Sequence, residues 1–216
     1  GHCQRVSVKK KESDDYIWVQ FQDILYDIDV PDAFRSPIQS VPLDYDTASF
    51  YDQRKDAIEQ RLADLIKWSP DELCGFVSER WDTCSSVSAS PANWELFSSL
   101  NHLLSLMKCF TGEQLSSLCR RLVMNHRHTR SGFPDLTMWS TQSGRVTFVE
   151  VKGPNDRLSN KQILWLDYLT AIGIEALVCH VEEVNGGKYL SPKKKNATAS
   201  PIKKRKRKSS ADDFIW

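Results

Sequence analysis

The chain predicts an α/β protein in which a helical N-terminal half leads into a small mixed β-sheet with flanking helices, followed by a disordered basic tail. Three observations carry this reading. Apolar residues recur at three- and four-residue intervals as far as Val123; the pattern changes to β-type runs after Gly132; and beyond Gly187 the chain is mostly Lys, Ser, Pro and Ala. With 216 residues, 40% of them hydrophobic and 26% charged, it is long enough for one large domain or two small ones with a core. A wholly disordered chain and a disulfide miniprotein are excluded.

The elements follow in order. After a polar leader (1–15), Tyr16 to Ile28 places Trp18, Phe21, Leu25 and Ile28 at helical spacing and predicts an amphipathic helix packed on a core. Pro31, Pro37 and Pro42 bar a long helix between Val30 and Asp46 and make that stretch an ordered connector. Thr47 or Ser49 is the expected cap of a second helix carrying Ile58, Leu62, Leu65 and Ile66, and Ser69-Pro70-Asp71-Glu72 opens a third. Cys84 to Pro91 reads as a surface loop and Trp94 to Lys108 as a fourth helix. A further helix begins near Thr111, with Gln114 completing a capping box. The helical region is thus 16–110, and 111–186 forms the core of the sheet domain.

Leu136 to Trp139 and Val146 to Lys152 predict two strands joined by the hairpin loop Ser140 to Gly144. Ser159 caps a helix from Asn160 to Ile172, which Gly173 ends, and Ala176 to Val181 returns as a third strand. Ile163, Leu164 and Leu169 are the residues expected to bury that helix against the sheet. A hairpin, a crossover helix and a returning strand make a mixed sheet. Residues 187–216 form the disordered basic tail.

The formal charge of +1 hides an asymmetry: the tail from Ser191 carries +7, which leaves 20 basic and 26 acidic groups in residues 1–190, a net of −6. Nucleic-acid binding by the body therefore needs a local basic patch or an upstream partner domain. Six cysteines without a C-x-x-C pair fit a reducing compartment. His126 and His128 read as a helix end or a phosphate contact rather than a metal pair. No run of eighteen apolar residues and no apolar signal region occurs, so the expectation is an intracellular protein without a membrane partner. Its first residue is Gly1, which suggests a piece of a longer protein.

The chemistry concentrates around the hairpin. Phe133-Pro134-Asp135 starts one strand and Val149-Glu150-Val151-Lys152 ends the next. Side chains alternate along a strand, so Glu150 and Lys152 share one face, and hairpin pairing brings Asp135 to the same strand end. Two carboxylates and an ammonium then converge. Metal-assisted phosphodiester hydrolysis asks for that set: carboxylate oxygens for Mg²⁺ or Mn²⁺, and a cation for the developing charge, with the Val151 carbonyl able to complete a coordination shell. The competing reading is a plain hairpin with Glu150 and Lys152 on the surface and Asp135 capping a turn. As polar strand-end groups, Asp135 and Glu150 should tolerate alanine with thermal unfolding nearly unchanged, or with its midpoint raised by relief of carboxylate repulsion.

Ser131-Gly-Phe-Pro-Asp135-Leu, the unbroken Val149-Glu-Val-Lys-Gly-Pro-Asn-Asp-Arg-Leu-Ser159, Lys161-Gln162 and Trp165-Leu166 closely resemble the VRR-NUC domain of the Fanconi-anaemia-associated nuclease family. The resemblance extends upstream through Asp23-Ile-Leu, Pro31-Asp-Ala-Phe-Arg35, Pro42-Leu-Asp44, Phe50 and Trp94, covering most of 16–183. It implies a PD-(D/E)XK restriction-endonuclease-like core in a metal-dependent, structure-specific nuclease. Such an enzyme acts as an endonuclease or exonuclease on branched DNA such as 5′ flaps, together with DNA-repair proteins, in interstrand crosslink repair. Asp135, Glu150 and the Val151 carbonyl would be metal ligands, Lys152 the catalytic lysine, and Arg157, Lys161 and Gln162 substrate contacts. The family pattern has a further metal-binding glutamate before Tyr16, for which Glu12 is a poor match, so this chain alone is expected to be weakly active. The rival from another class is a nuclease-fold fragment that only docks DNA or a protein partner. A small-molecule phosphodiesterase lacks any apolar pocket signal.

In the tail, Lys203 to Lys208 is a run of six basic residues that predicts nuclear import. The Asn196-Ala-Thr198 sequon is discounted without a secretory signal, and the terminal Asp-Asp-Phe-Ile-Trp216 reads as a frayed end or a partner-docking peptide.

Overall fold

A computed structural model describes residues 15–36, 39–85, 92–124 and 126–182. The chain divides into two units, 1–183 and 184–216, and everything described below belongs to the first. The polar leader, most of the Cys84–Pro91 loop and the basic tail lie outside the described residues.

The first helical segment is α1 (Asp15–Trp18), a 3₁₀ turn (Val19–Phe21) and α2 (Gln22–Tyr26), not the single amphipathic helix expected over 16–28. It is buried on all sides: Tyr16, Ile17, Trp18, Val19, Phe21, Ile24 and Leu25 join Gln20 and Gln22 in the interior. A helix enclosed all round is a core element rather than a surface one. Trp18 meets the rings of Tyr45, Phe50 and His126, and Gln20 Nε2 reaches Met107 Sδ at 3.7 Å.

Around it pack α3 (Ser49–Lys67), α4 (Pro70–Cys84), α5 (Leu100–Met107) and α6 (Gly112–Met124). The expected Thr47 or Ser49 cap is absent. Ala48 holds that position, because the Thr47 hydroxyl is turned back to the Asp44 carbonyl at 2.7 Å. Ile58, Leu62 and Leu65 are buried, whereas Ile66 falls off that stripe and is exposed. Thr111 with Gln114 forms the capping box read from the sequence, and at the expected helix start Ser69 forms a second one with Glu72. The helix expected over Trp94–Lys108 is instead a 3₁₀ turn (Trp94–Leu96) followed by α5, since Ser99 is extended and caps the His102 N–H. No helix among the described residues is long and apolar enough to cross a membrane.

Asp23 ties three of these helices together. Its carboxylate takes Arg61 at 2.6 Å and Arg80 at 3.0 Å, and Arg61 also donates to the Gln20 carbonyl. Burial pushes the Asp23 carboxyl upward, but the hydrogen bond and charge of Arg61 and the charge of Arg80 outweigh it, leaving the group below its ordinary 3.8. A depressed carboxylate contributes stability that is complete above pH 3.8 and is lost as the pH falls further. Asp23→Asn is therefore expected to lose about 2 kcal/mol at neutral pH. Urea titrations at pH 7 and below pH 3 should show the gap from wild type closing on acidification.

After α7 (His126–Thr129), strands β1 (Leu136–Ser140), β2 (Arg145–Lys152) and β3 (Glu175–His180) form one sheet in the order β1-β2-β3. The β1–β2 pair is antiparallel, from Leu136 opposite Val149 to Ser140 opposite Arg145; β2–β3 is parallel, from Thr147 opposite Glu175 to Lys152 opposite His180. The crossover helix α8 (Asn160–Ala171) packs on the sheet through Gln162, Trp165 and Leu169. Of the three residues expected there, only Leu169 is buried; Ile163 and Leu164 are 42% and 59% exposed. The inward stripe runs 162, 165, 169, and positions 163 and 164 lie outside it. Trp165 closes an edge-to-face aromatic cluster on Phe133 (4.8 Å), which in turn meets Phe148 of β2 (5.2 Å).

Candidate active site

Gly132 turns the chain into the sheet with φ +92°, Phe133 anchors the turn in the aromatic cluster, and Pro134-Asp135 lead directly into β1. The β1–β2 register places Asp135 next beyond the Leu136–Val149 pair, level with Glu150. There β1 no longer supplies a backbone partner to β2, and the Asp135 carboxylate takes its place by accepting the Val151 N–H at 2.9 Å.

On β2 the alternation puts Glu150 and Lys152 on the inner face, with Val151 between them on the other. Both ionisable side chains are inside the protein, Glu150 at 1% and Lys152 at 8% exposure. Lys152 Nζ lies 3.0 Å from Glu150 Oε1. The plain-hairpin reading required Glu150 and Lys152 on the surface, and their burial overturns it. It also removes the ground for expecting Glu150 to tolerate alanine, because an ion pair taken out of water persists only where each charge is matched; Asp135 is half-buried.

Gln162, the third residue of α8, completes the cluster. Its Nε2 donates to Glu150 Oε1, and its Oε1 accepts from Lys152 Nζ at 3.1 Å and from the Ser159 N–H at 2.8 Å. Lys161, one position earlier, is exposed and donates from Nζ to Ser131 Oγ at 2.7 Å. Arg157 is exposed in the turn before α8, where Asp156 and Gly153 bond each other. The fold thus gathers Asp135, Glu150, Val151, Lys152 and Gln162, with Lys161 beside Ser131 and Arg157 in the adjoining turn. The link between Gln162 and the Glu150–Lys152 pair went unread in the sequence. Its trace was Ser159-x-x-Gln162, a capping box whose Gln is also positioned to reach the strand.

The donors suit a hard divalent ion. Asp135 and Glu150 bring carboxylate oxygens. Lys152 passes its carbonyl to Val181 N–H of the β3 side at 2.8 Å, so the preceding Val151 carbonyl points to the opposite edge, where Asp135 sits. An all-oxygen set of this kind favours Mg²⁺ or Mn²⁺ over softer metals. Among the described residues, no cluster of three or more His, Cys, Asp or Glu side chains is found. The third oxygen available here is therefore from the backbone. His126 does not contribute: it is buried, with Nδ1 2.9 Å from Asp46 Oδ1, while His128 is exposed.

Comparison with known proteins gives a consistent result. The family model described as "VRR-NUC domain" matches residues 75–183. Fanconi-associated nuclease 1 of Ailuropoda melanoleuca is 44% identical over 162 residues, that of Danio rerio 43% over 159, and the Caenorhabditis elegans homolog 36% over 168. These alignments take in 74–76% of this chain but only 16–19% of the relatives, so the chain spans less than a fifth of their length. Among solved structures, paFAN1 bound to 5′ flap DNA with a gap, in complexes with a 2-nucleotide and a 1-nucleotide flap, superposes with a TM-score of 0.74 at 24% identity. The match covers 85–86% of this chain and 33% of that one, and it establishes the helical and mixed-sheet fold.

Proposed function

Since the chain belongs to the VRR-NUC domain family, we propose that it supplies the hydrolytic centre of a metal-dependent, structure-specific DNA nuclease acting on 5′ flaps and related branched DNA in interstrand crosslink repair. The observation that carries this reading is the buried Glu150–Lys152 pair with Asp135 bonded to the intervening Val151 peptide. Such a pair is expensive to maintain for stability alone, and it sets a cation beside the carboxylate oxygens that would hold the metal.

Asp135, Glu150 and the Val151 carbonyl would hold Mg²⁺ or Mn²⁺. When bound, the ion supplies Lewis acidity and a more acidic water. The chain's own groups do the rest. Lys152 would offer an ammonium to the charge that develops on the phosphate oxygens as a water bonds to phosphorus, releasing a proton to solvent, and the bond to the leaving sugar oxygen breaks, that oxygen taking up a proton. Lys161 and Arg157, exposed on the adjoining helix start and turn, would hold neighbouring phosphates. The run Lys203 to Lys208 supports action in the nucleus.

The direct test is cleavage of a labelled 5′-flap duplex with Mn²⁺ at low salt, wild type against Asp135→Asn. Cleavage that Asp135→Asn abolishes supports the proposal, whereas DNA binding without cleavage by wild type would favour a docking module instead. For the substrate contacts, Lys161→Met is expected to weaken flap binding and to lower the slope of log affinity against log salt by about 1. Binding isotherms at several salt concentrations would show it, and an unchanged slope would place Lys161 away from the phosphates.

A further inference from the structure

We infer that Gln162 is a positioning residue rather than a DNA contact: its carboxamide, oriented by the N-terminus of α8, locks Glu150 and Lys152 into the geometry that binds the metal ion. The inference rests on the reading of the site given under Proposed function.

The third residue of a capping box ordinarily lies at the solvent-facing start of a helix, but Gln162 is 6% exposed. A buried carboxamide is tolerated only when its polar atoms are matched. Here the matching also decides which way the amide faces. The Ser159 N–H and the Lys152 ammonium are both donors, and both lie against the same atom of Gln162. That atom must be the oxygen. The NH₂ group is then left facing Glu150 Oε1, an acceptor, and the amide cannot be reversed without setting donors against donors.

The consequence falls on Glu150. Its Oε1 takes both the Gln162 amide and the Lys152 ammonium, so the carboxylate plane cannot turn without breaking two contacts. Lys152 is likewise held from two sides, by Glu150 and by the Gln162 oxygen. One side chain therefore fixes the ligand and the cation together, and it draws its own rigidity from a backbone N–H at a helix start. The amide is engaged at both ends inside the protein, and what it engages is Glu150 and Lys152 rather than solvent; exposed neighbours such as Lys161 sit at the surface from which a phosphate would approach. Partners that orient a ligand typically change metal affinity by 10–100-fold when removed.

The test measures Mn²⁺ binding by titration calorimetry on the 216-residue chain, for wild type, Gln162→Met, Gln162→Asn and Leu169→Ala, with thermal melts to set a temperature at which all are folded. Gln162→Met and Gln162→Asn should each weaken Mn²⁺ binding at least tenfold. The asparagine keeps an amide but stops one methylene short of Glu150. Leu169→Ala, a core change on the same helix two turns away, should leave affinity within about threefold despite lowering the melting temperature. In flap cleavage the Gln162 variants should lose kcat and keep KM. If wild type binds Mn²⁺ and the Gln162 variants match it, or if KM rises while kcat holds, the positioning role is overturned. A wild type that neither binds Mn²⁺ nor cleaves overturns the site assignment itself and the inference with it.

Discussion

Glu150→Ala is expected to abolish flap cleavage and, in the same molecule, to lower folding stability by about 3 kcal/mol. The loss of activity follows from removing a carboxylate of the candidate centre. The loss of stability follows from what remains. Lys152, 8% exposed, would be left with the Gln162 oxygen but without its counter-charge, and the Gln162 NH₂ would face an empty space. An unpaired buried ammonium bears the full cost of leaving water. Replacing both charges should undo most of that damage: Glu150→Met with Lys152→Met is expected to recover at least half of the lost stability, since apolar groups of similar size often equal a buried ion pair. It should recover no cleavage. Urea unfolding of wild type and the two variants beside a cleavage assay separates the two effects. A single Glu150→Ala chain as stable as wild type would show that the pair is solvated in solution.

The reversal on this point shows what the sequence could and could not convey. Alternation along β2 was enough to place Glu150 and Lys152 on one face, and hairpin pairing was enough to bring Asp135 to them. Period alone does not say which face of a three-stranded sheet is covered. That depends on α8, and its inward stripe was misread: Ile163 and Leu164 were the more apolar residues, yet Gln162, Trp165 and Leu169 face the sheet. Apolarity predicted the wrong face because a polar residue was needed inside to match a buried ion pair. A similar cause broke the first helical segment. The pattern of Trp18, Phe21 and Leu25 was helical, but Gln20 and Gln22 are buried as well, since the other helices enclose the segment on every side. The helix starts at Ser69, Thr111 and Ser159 are as the sequence predicts, because the groups that cap them are local; only at Thr111 was the paired partner part of that reading. The Thr47 cap failed because its hydroxyl had a competing acceptor in the preceding turn.

The turn at Gly132 is where fold and site depend on each other most closely, and Gly132→Ala is the second change with a large expected effect. The residue has φ +92°, a region that L side chains rarely adopt. A Cβ there would come within 2.7 Å of the Lys161 Cβ and 2.9 Å of the Lys161 carbonyl carbon. The second of these is backbone at the start of α8, so the clash cannot be relieved by rotating a side chain; α8 must move, or the turn must. We expect a loss of about 3 kcal/mol, combining backbone strain with displaced packing. Gly144 provides the comparison. It also has positive φ, at +61°, but a Cβ there meets nothing within 4 Å, so Gly144→Ala should lose only about 1 kcal/mol, from conformation alone. The two variants should differ still more at the site. Displacing Lys161 carries Gln162 with it, and the amide then loses its reach to Glu150 and Lys152. Gly132→Ala is therefore expected to weaken Mn²⁺ binding by tenfold or more at a temperature where it remains folded, while Gly144→Ala binds as wild type does. Equal Mn²⁺ affinity in the two alanine variants would show that the approach of the Gly132 turn to α8 does not set the geometry of the centre.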